Sequence, residues 1–253
     1  MMDIKEYQRK CLRNYKKSIG YPENYTYLYE TPINVLVPIE TALNKIMIVG
    51  AYPSAKFYTV QRNDGTFIRD TPLDDNDSPF SSETYLDGKR TRTIPSGKEL
   101  NEVILQNIGV RRQDCWITDL VKVFLFKEGH VKKYQDLGRF DIEPNRKDFR
   151  KYAELSLKWL YDEIEICNPC VIILLGIEVA SVVLRLDTKA AKEALNGNCI
   201  SMLIGEKKRH FICLPHPGIL MRKNQNGNTW PQDFENSISV NARAEITRLL
   251  PKN

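Results

Sequence analysis

The sequence predicts a three-layer α/β domain built on a largely parallel, four-stranded sheet. Three observations carry this prediction. Four short, near-continuous apolar runs have strand length; amphipathic, helix-length stretches separate them; and turn residues close each run. The chain has 253 residues, with 37 Lys+Arg against 32 Asp+Glu for a net charge of +5. That length suits one large domain, and residues 1–253 are read as one. Hydrophobic residues at 42% and charged residues at 27% exclude a disordered or fibrous chain. No apolar run reaches membrane-spanning length, and the N-terminus lacks the apolar stretch of a secretory signal. A cytoplasmic protein with no membrane association is expected. The six scattered cysteines then read as reduced thiols rather than a disulfide framework.

Taken in order, residues 3–18 carry apolar side chains at helical spacing, and Gly20-Tyr21-Pro22 stops that helix. Residues 1–44 form this helix and a lead-in to the first strand, Lys45-Ile46-Met47-Ile48-Val49-Gly50. Residues 58–95 are polar and rich in Asp, Ser, Pro and Arg, which reads as one long loop, and loops of that length are functional or disordered. Ser96-Gly97 opens a helix whose Leu100, Val103, Ile104 and Ile108 share a face, and Gly109 closes it. The second strand, Cys115–Thr118, leads into Asp119-Leu120-Val121-Lys122. A basic connection to about Asn145 precedes a long amphipathic helix over 146–166. The third strand, Cys170–Leu175, ends at Gly176 and runs into a helix through Val179, Val182 and Val183. The fourth, His210–Leu214, ends in Pro215-His216-Pro217-Gly218, and a last helix runs from about Glu235 to Leu249.

In open α/β sheets ligands sit beyond the carboxyl ends of the strands. That rule selects Gly50–Ser54, Asp119–Lys122, Gly176 and His216–Arg222 as the site. Taken together, these segments resemble the uracil-DNA glycosylase superfamily. Gly50-Ala51-Tyr52-Pro53-Ser54 occupies the place of its first motif, Gly-x-x-Pro-x. PSGKELNEVILQNIGVRRQDCWITDLVK is similar to its helix and second strand, NPCVIILLGIEVAS to its third strand and following helix, and LPHPGILMR to its second motif, commonly His-Pro-Ser-Pro-Leu. The resemblance covers roughly residues 45–222 and implies a glycosylase-like fold acting on DNA, as a monomer without metal or cofactor.

The departures are informative. The resemblance puts the family's motif-1 acid at a position held here by Ala51 or Tyr52, neither of which can orient water or support a sugar cation. The iron–sulfur branch has a Cys directly after Val-Lys, where this chain has Val123, so no cluster is expected; Cys167 and Cys170 read as structural thiols. The missing carboxylate is sought in the long loop. Asp87 is the nearest to the Ser96-Gly97 helix start, although spacing does not separate it from Asp64, Asp70, Asp74, Asp75, Asp77 or Glu83.

Breaking an N-glycosidic bond leaves positive charge on the sugar and negative charge on the base, so catalysis is largely preorganised electrostatics. The resemblance places His216 as the donor to the base O2. Asp119 stands where the family has an Asn that reads the pyrimidine edge. An ionised Asp only accepts, which favours the cytosine N4 amino group and opposes uracil O4. Members strict for uracil have a Tyr where this chain has Ser54, and a small Ser leaves room at pyrimidine C5. Gly50, Ala51, Tyr52 and Pro53 complete the base-binding wall, with Tyr52 positioned to stack on the base or to line the pocket. Leu220 matches the side chain that wedges behind a flipped nucleotide, and Lys122, Pro217, Gly218, Arg222 and Lys223 are the remaining expected DNA contacts. His130 and His210 read as structural or exposed.

The expected function is therefore a base-flipping DNA glycosylase for a modified pyrimidine, a 5-substituted cytosine, leaving an abasic site; such bases in phage DNA would make it a defence enzyme. A uracil or deaminated-base repair glycosylase and a DNA-binding module without chemistry are the competing readings.

Overall fold

The computed structural model describes residues 3–223, 225 and 227–251. The central sheet has five strands in the order β6-β1-β7-β9-β8. Four are mutually parallel: β1 (Ile46–Gly50), β6 (Cys115–Asp119), β7 (Val171–Leu175) and β9 (Lys207–Leu214). These are the runs read from the sequence. Every residue of β1, β6 and β7 is buried, as strands covered on both faces require. The expectation of four strands misses β8 (Cys199–Ile204), which pairs antiparallel with β9 at the sheet edge across the Gly205-Glu206 turn. Its sequence is apolar apart from Ser201 and fits a strand as well as the other four runs do, although most of it is only partly buried at the sheet edge.

Helices cover both faces. One side carries α1 (Ile4–Ser18), α4 (Glu128–Gln135), α5 (Phe149–Cys167), α6 (Ile177–Val183) and α7 (Thr188–Glu193) around a core that includes Met47, Trp116, Leu160, Ile172 and Phe211. The other carries α2 (Pro95–Glu99), a π-helical stretch over Leu100–Leu105, α3 (Gln106–Ile108), α8 (Pro217–Leu220), α9 (Trp230–Asp233) and α10 (Ser239–Leu249), packed on Ile46, Ile48, Ile117, Ile173 and Ile212. Alternate residues of each buried strand therefore serve opposite cores. Among the described residues no helix is long and apolar enough to cross a membrane.

The segment read as a long loop is instead two β-hairpins. β2 (Ala55–Gln61) pairs with β3 (Phe67–Asp75), and β4 (Thr84–Asp87) with β5 (Arg90–Thr93). Their acidic and basic side chains mask the strand pattern, but Asp64-Gly65 and Asp87-Gly88 are strong hairpin signals. Both glycines have positive φ. All of this chain leaves the carboxyl end of β1, so it stands on the same end of the sheet as the strand-end motifs.

Candidate active site

The carboxyl ends of β1, β6 and β9 converge on a cavity of about 230 Å³. That is below the usual range of about 300–1,000 Å³ for ligand pockets and suits something the size of a single base. Gly50 makes its floor possible. A Cβ there would lie 2.2 Å from Asp119 Oδ1 and 2.5 Å from the Phe80 ring, so only a glycine lets the carboxylate and the aromatic ring close over the strand end. Phe80 itself was not among the residues expected here. It holds a φ of 53°, a conformation that costs a bulky residue on the order of 1–3 kcal/mol. Two contacts hold this segment. Arg112 Nη2 donates to the Phe80 carbonyl at 3.0 Å. Gly97, where a Cβ would meet the Phe80 and Ser81 backbone within 2.5 Å, seats α2 directly against it.

Asp119 is 2% exposed and lines the cavity. No hydrogen bond from the described residues reaches its carboxylate, and burial pushes its pKa up to about 7, with Lys122 opposing and Glu163 reinforcing the shift. Such a group is a neutral acid for much of the time near neutrality, with one donor and one acceptor to offer.

At the far side, His216 caps α8, its Nδ1 accepting the Gly218 N–H at 3.0 Å. That bond fixes the tautomer: a neutral imidazole must carry its proton on Nε2. Desolvation pulls the imidazole below its ordinary pKa; Glu178 opposes this, while Lys127 and Arg222 add to it. Beside it lies Glu99, another residue the sequence reading passed over. Its Oε2 is 4.0 Å from the position a Cβ would take on Gly218, and His216 Nδ1 is 3.2 Å from that same position. Glu99 lines the cavity without a hydrogen-bond partner among the described residues. Burial raises its pKa, and Arg222 partly offsets that.

Ala51, Tyr52, Pro53 and Ser54 all line the cavity. Tyr52 is fixed by the Arg146 guanidinium, 4.9 Å from its ring, and by Phe149 at 6.1 Å. Ser54 shares the cavity lining with Phe57, Phe124, Lys127 and His130. His130 is thus part of the wall rather than a surface group: it stacks on Phe124 at 5.4 Å and accepts the Lys127 N–H on Nδ1 at 3.2 Å. Burial and the two neighbouring lysines pull its pKa down to about 4.

Four expectations are corrected. Lys122 is fully buried and cannot touch a phosphate: its Nζ lies 2.6 Å from Glu163 Oε1 and donates to Thr118 Oγ1 at 2.7 Å and to the Asp119 carbonyl at 3.1 Å. Asp87 does not line the cavity; it accepts from Thr59 N–H at 2.8 Å, Thr59 Oγ1 at 3.0 Å and Arg92 at 3.3 Å. Leu220 is 2% exposed, within the core, while its neighbour Met221 is 53% exposed. Pro217 is buried at the start of α8 and is not a free DNA contact. Arg222 and Lys223 are exposed, although Lys223 is paired with Glu235 at 2.7 Å. Among the described residues no three potential metal ligands gather. Cys167 and Cys170 each point their thiol at a backbone carbonyl, of Ala42 and Asn44.

No curated protein sequence matches the chain. The family model "Uracil DNA glycosylase superfamily" matches residues 40–237, which contain every strand of the sheet and every cavity residue named above. Members of that family are DNA glycosylases that act on DNA, and by this match the chain belongs to the uracil-DNA glycosylase superfamily.

Proposed function

We propose that the protein is a monomeric, cytoplasmic DNA glycosylase that flips a 5-substituted cytosine into the cavity and hydrolyses its N-glycosidic bond. The observation that carries this reading is the buried, unpartnered Asp119 carboxyl against the cavity floor. In its neutral form it complements the cytosine edge, donating to N3 and accepting from the N4 amino group; ionised, it still accepts from N4 while opposing uracil O4. The Phe80 ring provides a stacking face, and the small Ser54 side chain leaves space toward C5.

The chemistry follows from the opposite end of the cavity. As the C1′–N1 bond breaks, its electron pair moves onto the base and O2 becomes an oxyanion, facing the proton that His216 holds on Nε2. Glu99 takes the part of the missing motif-1 acid. Its carboxylate faces the sugar cation, draws a proton from water as that water attacks C1′, and leaves a hydroxyl on the abasic sugar. Met221, rather than Leu220, is the side chain free to fill the space the base vacates.

A neutral Asp119 turned the other way, hydroxyl to O4 and carbonyl to N3–H, also accommodates uracil, so deaminated-base repair is the second reading. The test is abasic-site formation on matched oligonucleotides carrying uracil, hypoxanthine, cytosine, 5-methylcytosine, 5-hydroxymethylcytosine or its glucosylated form. We expect release of a 5-substituted cytosine and a shift toward uracil in Asp119→Asn. Strong uracil release with none from modified cytosine selects repair, and no release from any substrate at enzyme excess leaves a DNA-binding module. Should a phage-type base be the one released, protection of cells against phage carrying it is the expected biological role.

A further inference from the structure

The β4–β5 hairpin has no part in the chemistry above, yet it is built into the cavity rim. The residues flanking it, Phe80 on one side and Pro95 and Ser96 on the other, all line the cavity. Its inner face is tied down. The Tyr85 hydroxyl donates to the Phe57 carbonyl at 2.8 Å and accepts the Phe57 N–H at 2.9 Å, Asp87 holds Thr59, and Arg92 bridges Asp87 and Asp70 at 3.3 and 2.6 Å. Its outer face, Thr84, Leu86, Thr91 and Thr93, is exposed, Leu86 by 68%. The tip adds Lys89 and Arg90, both exposed and without an ion pair among the described residues. Gly88, with a φ of 61°, makes the two-residue turn Gly88-Lys89 that closes the hairpin and sets both cations at its tip. Rigid anchoring on one face, a hydroxyl-bearing face on the other and two exposed cations at the tip, Lys89 in the turn and Arg90 opposite Asp87, suit an extended polyanion.

We propose that this hairpin is a second DNA-gripping element, lying along the duplex backbone on the flank of the cavity opposite the Met221–Lys223 turn. The sheet order supports the placement: the hairpin is held on β2, which follows the end of β1, and the turn follows the end of β9, with β7 between β1 and β9. Four residues of strand extend about 13 Å, the rise of about four base pairs. Lys89 and Arg90 neutralise phosphates, the threonine hydroxyls donate to phosphate oxygens, and Leu86 packs on a sugar. The proposal builds on membership of a family that acts on DNA and on the cavity described above, but not on which base is removed.

The test is binding to an unmodified fluorescent duplex, read by anisotropy over a salt series, so that it stands even if no base is ever released. Lys89→Ala with Arg90→Ala should weaken binding about tenfold at low salt and flatten the slope of log K against log[salt] by about 1.8, the expectation for two lost phosphate contacts. Lys5→Ala with Arg9→Ala removes the same charge from exposed positions on α1 and should leave the slope unchanged. An unchanged slope in the hairpin variant, or an equal loss in the α1 variant, overturns the proposal. An unshifted thermal midpoint, checked on each variant, separates lost contacts from lost folding.

Discussion

Asp87 and Asp119 are both nearly excluded from water, 8% and 2% exposed, and their surroundings are opposite. Asp87 sits between the two hairpins, accepting from Thr59 twice and from Arg92, and these bonds hold its pKa below the usual carboxylate value despite the cost of desolvation. Asp119 sits at the end of β6 with no hydrogen bond from the described residues to its carboxyl group, and desolvation pushes it up to about 7. Burial alone therefore does not mark a functional carboxylate. What distinguishes the site is burial left uncompensated, where the free donor or acceptor is complementary to something the protein must still bind. Lys122 and Glu163 repeat the lesson three residues from Asp119. They are wholly buried, but paired with each other and hydrogen-bonded to Thr118, Tyr7 and Trp116, so they hold β6 to α1 and α5.

The largest effect expected from this contrast is on stability. Lys122→Met leaves Glu163 buried without its partner and should cost about 3–5 kcal/mol in denaturant unfolding, whereas a lysine acting only on phosphates would leave stability unaltered. Glu99→Gln keeps the shape of the half-buried side chain and removes its charge. Base release should fall about 10²–10³-fold, with duplex binding retained; an unchanged single-turnover rate would remove Glu99 from the mechanism.

Asp119 gives a pH-dependent prediction. Its folded-state pKa, about 7, lies above the ordinary Asp value of 3.8, so between about pH 4 and pH 7 the folded protein binds more protons than the unfolded chain. Stability should therefore fall as pH rises through that window, by on the order of 3 kcal/mol from this group alone. Asp75, raised by burial to about 6, adds a slope of the same sign. Subtracting the curve of Asp119→Asn from that of the parent protein isolates the Asp119 contribution, and superimposable curves would show that the carboxyl is not shifted. On the proposed reading, ionisation removes the Asp119 donor to cytosine N3 and leaves only the N4 contact, so release of cytosine-type bases should decline above pH 7 in the parent, while any residual release by Asp119→Asn should lack that decline.

The frame of the site was legible in the sequence because buried parallel strands leave continuous apolar runs, and turns at their carboxyl ends carry the motif residues. Asp119 and His216 could be placed from that pattern. Glu99 and Phe80 could not. Glu99 occupies an ordinary charged position on a short helix, and it reaches the cavity only because Gly97 lets α2 pack on the Ser81 backbone. Phe80 lies in a polar stretch and faces the cavity through an unusual backbone conformation. Leu220 and Lys122 failed for a related reason: matching a motif position does not fix which way a side chain points. At α8 the turn rotates Leu220 inward and leaves Met221 outside, and at the end of β6 the Lys122 stem enters the core toward Glu163.

The smallest expected effect brings the comparison back to Asp87. Replacing it with Asn retains the shape but removes the charge that Arg92 and the two Thr59 donors share, and charge-assisted hydrogen bonds contribute about 1.5–3 kcal/mol each when left without a substitute. An Asn oxygen still accepts one of the three, so Asp87→Asn should lower stability by only about 1–2 kcal/mol. The sign with pH is opposite to that of Asp119. A carboxylate with a lowered folded pKa stabilises at neutral pH, and that contribution is lost only as pH falls below the ordinary Asp range through the folded value. The parent and Asp87→Asn should therefore converge in acid and differ by a constant amount from about pH 5 upward, with base release unaffected beyond the loss of folded protein. A drop in base release at full folding would instead return Asp87 to the active site, and would mean that the hairpins swing to bring it there when DNA is bound.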